Sequence, residues 1–273
     1  MLAALLIVFR EVLEAGLIVG LVLAATTGVP RRGIWIAGGV GAGVAGAAVV
    51  AAFAGAISNA LAGVGQEVFN AVILTAAALM LSWHNLWMAA HARELSRDMK
   101  SLGASVQSGE RTLFALAGVV ALAVMREGSE VVLFLFGIAA AGNEAPLSMA
   151  IGSAGGLLLG AATSLLIFRG LLAIPTAKLF SVTNVLIALL AAGMAGQAAV
   201  FFVRANWLPS LGDQVWDTSS ILADDSLVGR ALHALVGYSD RPMGVQILCY
   251  VVVLAGLILL GRRVRTGPVR AAA

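Results

Sequence analysis

Apolar runs long enough to cross a bilayer occupy most of this chain, at 2–25, 34–57, 68–90, 113–140, 147–168, 179–203 and 244–261. A helix needs about 20 such residues to span the hydrocarbon core. Backbone groups in lipid find partners only within a helix or around a closed barrel, and the alternating pattern of barrel strands is absent. The sequence therefore reads as an all-α polytopic membrane protein with seven transmembrane helices. Of the 273 residues, 60% are hydrophobic and 11% charged, about half the charge share of a soluble domain. A soluble fold is excluded on that ground. The chain opens MLAALLIVF and then meets Arg10, Glu11 and Glu14. With no small-residue cleavage site, the first run is expected to remain as a span. The single cysteine, Cys249, gives no intrachain disulfide to expect.

Basic residues divide unevenly between the loops that these spans define. Arg31, Arg32, Arg93, Arg97, Lys100, Arg111, Arg169, Lys178, Arg262, Arg263, Arg265 and Arg270 fall on one side, and only Arg204, Arg230 and Arg241 on the other. Cytoplasmic loops are the ones enriched in Lys and Arg. The expectation is a cell-membrane protein with its N-terminus outside and its C-terminus in the cytoplasm.

Two spans break the apolar rule in the same way. Arg10-Glu11-Val12-Leu13-Glu14 in the first recurs as Arg126-Glu127-Gly128-Ser129-Glu130 in the fourth, at an offset of 116. Three spans apart, the copies run in opposite directions, so the repeat is inverted. Transporters built this way place their binding site near the midplane, where the repeats meet. On this reading one transmembrane domain covers 1–273, with three-helix repeats at 1–91 and 112–203, an outer loop at 204–243 and a seventh helix at 244–261. Both motifs fall about 15–20 Å or slightly more along their helices, near the bilayer centre. Glycines gather in GGVGAGVAGA (38–47) and GSAGGLLLG (152–160), where small residues let helices approach closely in lipid. These two helices are expected to pack on the motif helices.

A charge at the membrane centre costs at least about 2.5 kcal/mol on insertion scales, and such groups face a bundle interior or a water-filled path. Glu11 and Glu14 are three residues apart on a helix and share a face, as do Glu127 and Glu130. Together they offer carboxylate oxygens for a hard or borderline cation, whereas soft ions such as Cu(I) prefer sulfur. Arg10 and Arg126 each precede a glutamate by four residues. Pairing there lowers the insertion cost and keeps that carboxylate ionised. The six groups sum to −2, which a divalent ion balances and a trivalent ion overcompensates, so charge counting leaves the metal open. A salt-bridge lattice that only fixes packing is the alternative, and a buried net charge without a cation argues against it.

The segments FREVLEAGLIVG (9–20) and MREGSEVVLFLFG (125–137), the seven spans, and the outer WDTSS…DDS…LH…GY…RP segment resemble the high-affinity iron permeases, or oxidase-dependent iron transporters, of fungi and bacteria. The resemblance covers nearly the whole chain. That family usually writes its motif Arg-Glu-Gly-Leu-Glu; here the third and fourth positions differ while every Arg and Glu is kept, which touches local packing only. The resemblance implies a transporter and not an enzyme, with Glu11, Glu14, Glu127 and Glu130 binding iron in passage and no permanently bound cofactor. It further implies ferric iron as substrate and an external ferroxidase or iron-binding protein as partner, with no nucleic acid. A permease for lead or another divalent cation is the alternative it leaves open. An intramembrane carboxylate-metal enzyme of the di-iron kind would need Glu-x-x-His pairs, which neither motif has.

Other polar residues carry weaker signals. Glu67, Glu144, Asp213, Asp217, Asp224 and Asp225 would gather cations at an outer mouth, or form a solvated face with Asp217 and Asp225 as helix caps. His84, in SWHNLWM, would line the path or serve as a hydrogen-bonded packing residue. Leu227, Val228, Ala231, Leu232 and Leu235 follow the Asp224-Asp225 pair at helical spacing. A short amphipathic helix at the outer surface is expected there, with Trp207 and Trp216 suited to the membrane interface.

Overall fold

The computed structural model describes residues 1–60, 66–140, 145–170 and 176–266. Glu144 and Arg270 lie outside the described residues. Among those described there are eight helices and no strand: α1 (Leu2–Ala25), α2 (Arg32–Ala60), α3 (Gln66–Gln107), α4 (Leu113–Ala140), α5 (Pro146–Phe168), α6 (Thr176–Arg204), α7 (Leu227–Val236) and α8 (Gly244–Thr266). Among the described residues, five segments are long and apolar enough to cross a membrane: Arg32–Ala56, Glu67–Met88, Pro146–Phe168, Val182–Arg204 and Gly244–Arg263. Helices α1 and α4, of 24 and 28 residues, have the length but carry the three charged residues of a motif each. Val49 and Phe53 on α2, Leu158 on α5, and Val252 and Leu259 on α8 are exposed. Such a surface would aggregate in water and is the required one in lipid. The chain is a multi-pass membrane protein.

Local sequence explains most helix ends. Gly109, at φ +81, breaks the chain before α4. There the Thr112 hydroxyl accepts from the Ala115 amide at 3.3 Å and caps the first turn. Pro146 opens α5 at a position where its missing N–H costs nothing. Helix α3 departs from the expected inner loop after residue 90 by continuing to Gln107. Leu95, Met99, Leu102 and Val106 prolong a helical apolar spacing there, with no proline to stop it. Helix α7 forms where expected, but its cap is Ser226, whose hydroxyl accepts from the Gly229 amide at 2.9 Å, and not Asp225. Gly237, left-handed at φ 69, ends it.

The chain forms two compact units. The first takes Met1–Val64, Arg93–Ala139 and Glu144–Phe180, and so holds α1, α2, α4, α5 and the end of α3. Val22, Ile36, Leu102, Val106, Leu116 and Val120 form its buried apolar cluster. Arg32 donates to the Leu23 carbonyl at 3.0 Å and ties the start of α2 to the end of α1. The second unit takes Gly65–Ala92, Ala140–Asn143 and Ser181–Ala273. In it the Asn85 amide of α3 donates to the Asn184 carbonyl of α6 at 3.0 Å. The segment before α8 is pinned by Tyr238, whose hydroxyl donates to the Leu222 carbonyl at 2.8 Å.

Within the first unit each motif helix lies against a glycine-rich helix. A Cβ on Gly156 of α5 would stand 2.5 Å from the Leu5 carbonyl oxygen of α1, and one on Gly160 would stand 2.9 Å from that of Phe9. On α2 the same holds for Gly39 and Ala117 at 2.6 Å, and for Gly43 and Ala121 at 2.7 Å. Both pairs run parallel, and their contacts fall in register: Leu5 and Ala121 each precede a motif arginine by five residues. The motif's third position is matched to what faces it. Val12 meets Gly160, whose added Cβ would be 3.0 Å away, whereas Gly128 meets Ala47, whose Cβ is 2.6 Å from the place a Gly128 Cβ would take.

That complementarity is testable. Gly128→Val should destabilise the protein by about 1–3 kcal/mol, the cost of overpacking, and so lower its thermal midpoint in detergent. Adding Ala47→Gly, which recreates the Val12 and Gly160 arrangement, should recover most of the loss in a double-mutant cycle.

Candidate metal site

Helical spacing delivers the charged groups of each motif to one side of its helix, and burial then forces them to pair. Arg10 is wholly buried. Its Nη1 donates to Glu11 Oε1 at 2.7 Å, and its Nη2 stands 2.8 Å from Glu14 Oε1. On α4, Arg126 Nε donates to Glu130 Oε1 at 3.2 Å and lies 3.9 Å from Glu127 Oε1. The Arg126 side chain is 40% exposed, against 1% for Arg10. All four glutamates are buried. Glu11, Glu127 and Glu130 each bring one carboxylate oxygen to within 4.8 Å of the others, a spacing that one cation can bridge at metal–oxygen distances of about 2.0–2.6 Å. Glu14, held by Arg10, stands outside that group.

Three convergent carboxylates from two helices suit a hard cation. Residues 1–263 match the iron permease FTR1 family. The chain belongs to this family. It is similar to the ferrous iron permease EfeU of Yersinia pestis, with 32% identity over 93% of this chain and 91% of the relative. It is likewise similar to the ferrous iron permease EfeU of Escherichia coli O6:H1, with 30% identity over 91% of each chain. No solved structure matches it. The protein is thus a transporter of the iron permease class and not an enzyme.

The remaining candidate residues of the permease sit in the second unit. Glu67 is half-buried in the first turn of α3, and His84 is buried farther along that helix. Asp217 caps no helix; its carboxylate accepts from the Ser219 hydroxyl at 2.6 Å and amide at 3.0 Å, and from Arg241 Nε at 3.1 Å. The Ser219 bonds, then Arg241, hold its pKa down to about 2. Asp224 Oδ1 accepts from the Asp240 amide and Asp240 Oδ2 from the Asp224 amide, both at 3.2 Å. Sequence reasoning missed Asp240, since nothing in the SDRP string shows that it folds back onto residue 224. Burial, and then the Asp240 charge, push the Asp224 carboxyl above the usual carboxylate range, with His233 opposing them. Asp225 is exposed.

These settings give two expectations. Arg10→Gln leaves two buried carboxylates uncompensated and should cost about 3–5 kcal/mol of stability, while Arg126→Gln, which removes a partly solvated guanidinium, should cost less; thermal unfolding of the purified variants measures both. Because Asp224's folded pKa is raised, its contribution to stability is present at low pH and lost as pH rises through that pKa. Protection of the 205–243 segment against proteolysis should therefore decline as pH rises above the ordinary carboxylate range. Asp224→Asn should flatten that dependence.

Proposed function

We propose that this protein carries iron inward across the cell membrane through a site made by Glu11, Glu14, Glu127 and Glu130, with Arg10 and Arg126 balancing their charge. The observation that carries the reading is the meeting of three of these carboxylates from two motif copies in a member of an iron permease family. In this reading α1 to α6 and α8 are seven spans, the helices 1–3 and 4–6 are inverted repeats, the N-terminus is outside and the C-terminus cytoplasmic. The parallel pairing of α1 with α5 and of α2 with α4 supports it, because alternating spans give first and fifth, and second and fourth, a common direction.

Ferrous iron is the favoured cargo. The relatives are named ferrous iron permeases, and that name carries the preference. Ferric iron supplied by an external ferroxidase is the second reading, carried by the resemblance to oxidase-dependent transporters; lead or another divalent ion is the third. An inside-negative potential would drive a divalent ion inward by about 4.6 kcal/mol per 100 mV without coupling to another gradient.

Uptake into proteoliposomes decides between them. Ferrous iron kept reduced should enter against a lead or ferric citrate background, and Glu127→Gln and Glu130→Gln should each cut that flux by about tenfold or more. Unchanged flux in both variants would sink the glutamate site. Faster ferric than ferrous uptake would move the reading to the oxidised ion.

A further inference from the structure

The two motifs are equal in charge and unequal in setting. Arg10 is sealed, with both of its carboxylates within 2.8 Å. Arg126 is 40% exposed, with its Nε 3.2 Å from Glu130 Oε1 and 3.9 Å from Glu127 Oε1. A guanidinium exposed in mid-span selects a water-filled passage over lipid, so water reaches the cluster from the α4 side. Exposure of the carboxylates follows the same order: 8% for the Glu130 side chain and 4% for Glu127, against 2% for Glu14 and none for Glu11.

We propose that Arg126 is a displaceable counter-ion which competes with the transported cation for Glu127 and Glu130. Glu11 completes the cation's oxygen set, and Glu14 is a positioning residue that holds Arg10. This rests on the glutamate-site reading above and divides its labour. An arriving cation repels the Arg126 guanidinium, which swings into the passage it already touches. When the cation leaves, Arg126 returns to the carboxylates and lowers their hold on the next ion. Conduction requires a site attractive enough to fill and weak enough to empty, and an internal competitor supplies the second condition. Arg10 cannot act this way, because withdrawing it would abandon two carboxylates with no solvent to receive it.

The test uses the full chain in lipid nanodiscs and proteoliposomes, with ferrous iron alone as probe under reducing conditions. Arg126→Gln should bind iron about tenfold more tightly and turn over more slowly, so that KM and kcat fall together. Arg126→Lys, which keeps a competing cation, should stay near the unmodified protein. Glu14→Gln should lose about tenfold less binding than Glu127→Gln or Glu130→Gln. Arg126→Cys in a Cys249→Ala background should react with a membrane-impermeant cationic thiol reagent and be protected by iron, and Arg10→Cys should not react. Unchanged or weaker binding in Arg126→Gln overturns the proposal, as does an unreactive Arg126→Cys. Equal losses in all four Glu→Gln variants overturn the division of roles alone; no loss in any of them removes the glutamate site itself.

Discussion

The Arg10 guanidinium, closed off from solvent between the carboxylates of Glu11 and Glu14, sets conditions that the first unit has to meet. An ion taken out of water is stable only when its partners are close and well aligned. One arginine against two glutamates still leaves a negative remainder inside an apolar helix, and the second motif adds another. Negative groups that collect at one place need a cation, and collecting them needs helices whose backbones come near. Gly39 and Gly43 on α2, and Gly156 and Gly160 on α5, remove the side chains that would hold the motif helices off. The glycine-rich helices and the buried charges are therefore two halves of one solution: packing in lipid has no hydrophobic drive of its own, so close van der Waals contact has to replace it.

The repeated charges and the unrepeated third position obey different rules. Arg and Glu recur at every motif site because each is answerable to the same chemistry. Position three is answerable only to the helix beside it, and there bulk has moved from one partner to the other, Val12 against Gly160 and Gly128 against Ala47. Val12 departs from the family's third-position glycine, and in the packed pair the glycine that makes room for it stands on the facing helix instead, at Gly160.

Much of this was legible from apolar run lengths and the duplicated motif, since lipid permits few architectures and tolerates mid-span charge only with a purpose. Four of the expected apolar runs coincide closely with the helices α1, α4, α5 and α6. The rest depended on contacts that no local pattern encodes. The extension of α3 to Gln107 draws on Leu102 and Val106 joining a cluster formed by distant helices. Ser226 and not Asp225 is the cap because α7 begins at Leu227, which puts the Ser226 hydroxyl within reach of the Gly229 amide. The exclusion of Glu14 from the carboxylate group is the clearest case. The two motif strings assign Glu14 and Glu130 identical positions, yet Glu130 joins the carboxylate group and Glu14 does not, and their arginines differ in exposure as well.

That inequality bears on selectivity. Carboxylate oxygens separate hard from soft cations, but ferrous, ferric and lead ions all find oxygen acceptable, so the donor set alone ranks them weakly. The charge that the arginines leave uncompensated separates divalent from trivalent ions, though not ferrous from lead. With both arginines seated, a divalent ion neutralises the six groups, and a trivalent ion leaves an excess in a medium where excess charge is expensive. Moving one guanidinium toward water changes that sum by up to one unit while leaving every oxygen where it was. On the proposed division of roles, a site whose countercharge is partly mobile would fix its ligand geometry and its electrostatic preference separately, the second residing in an arginine rather than in the glutamates proposed to touch the metal.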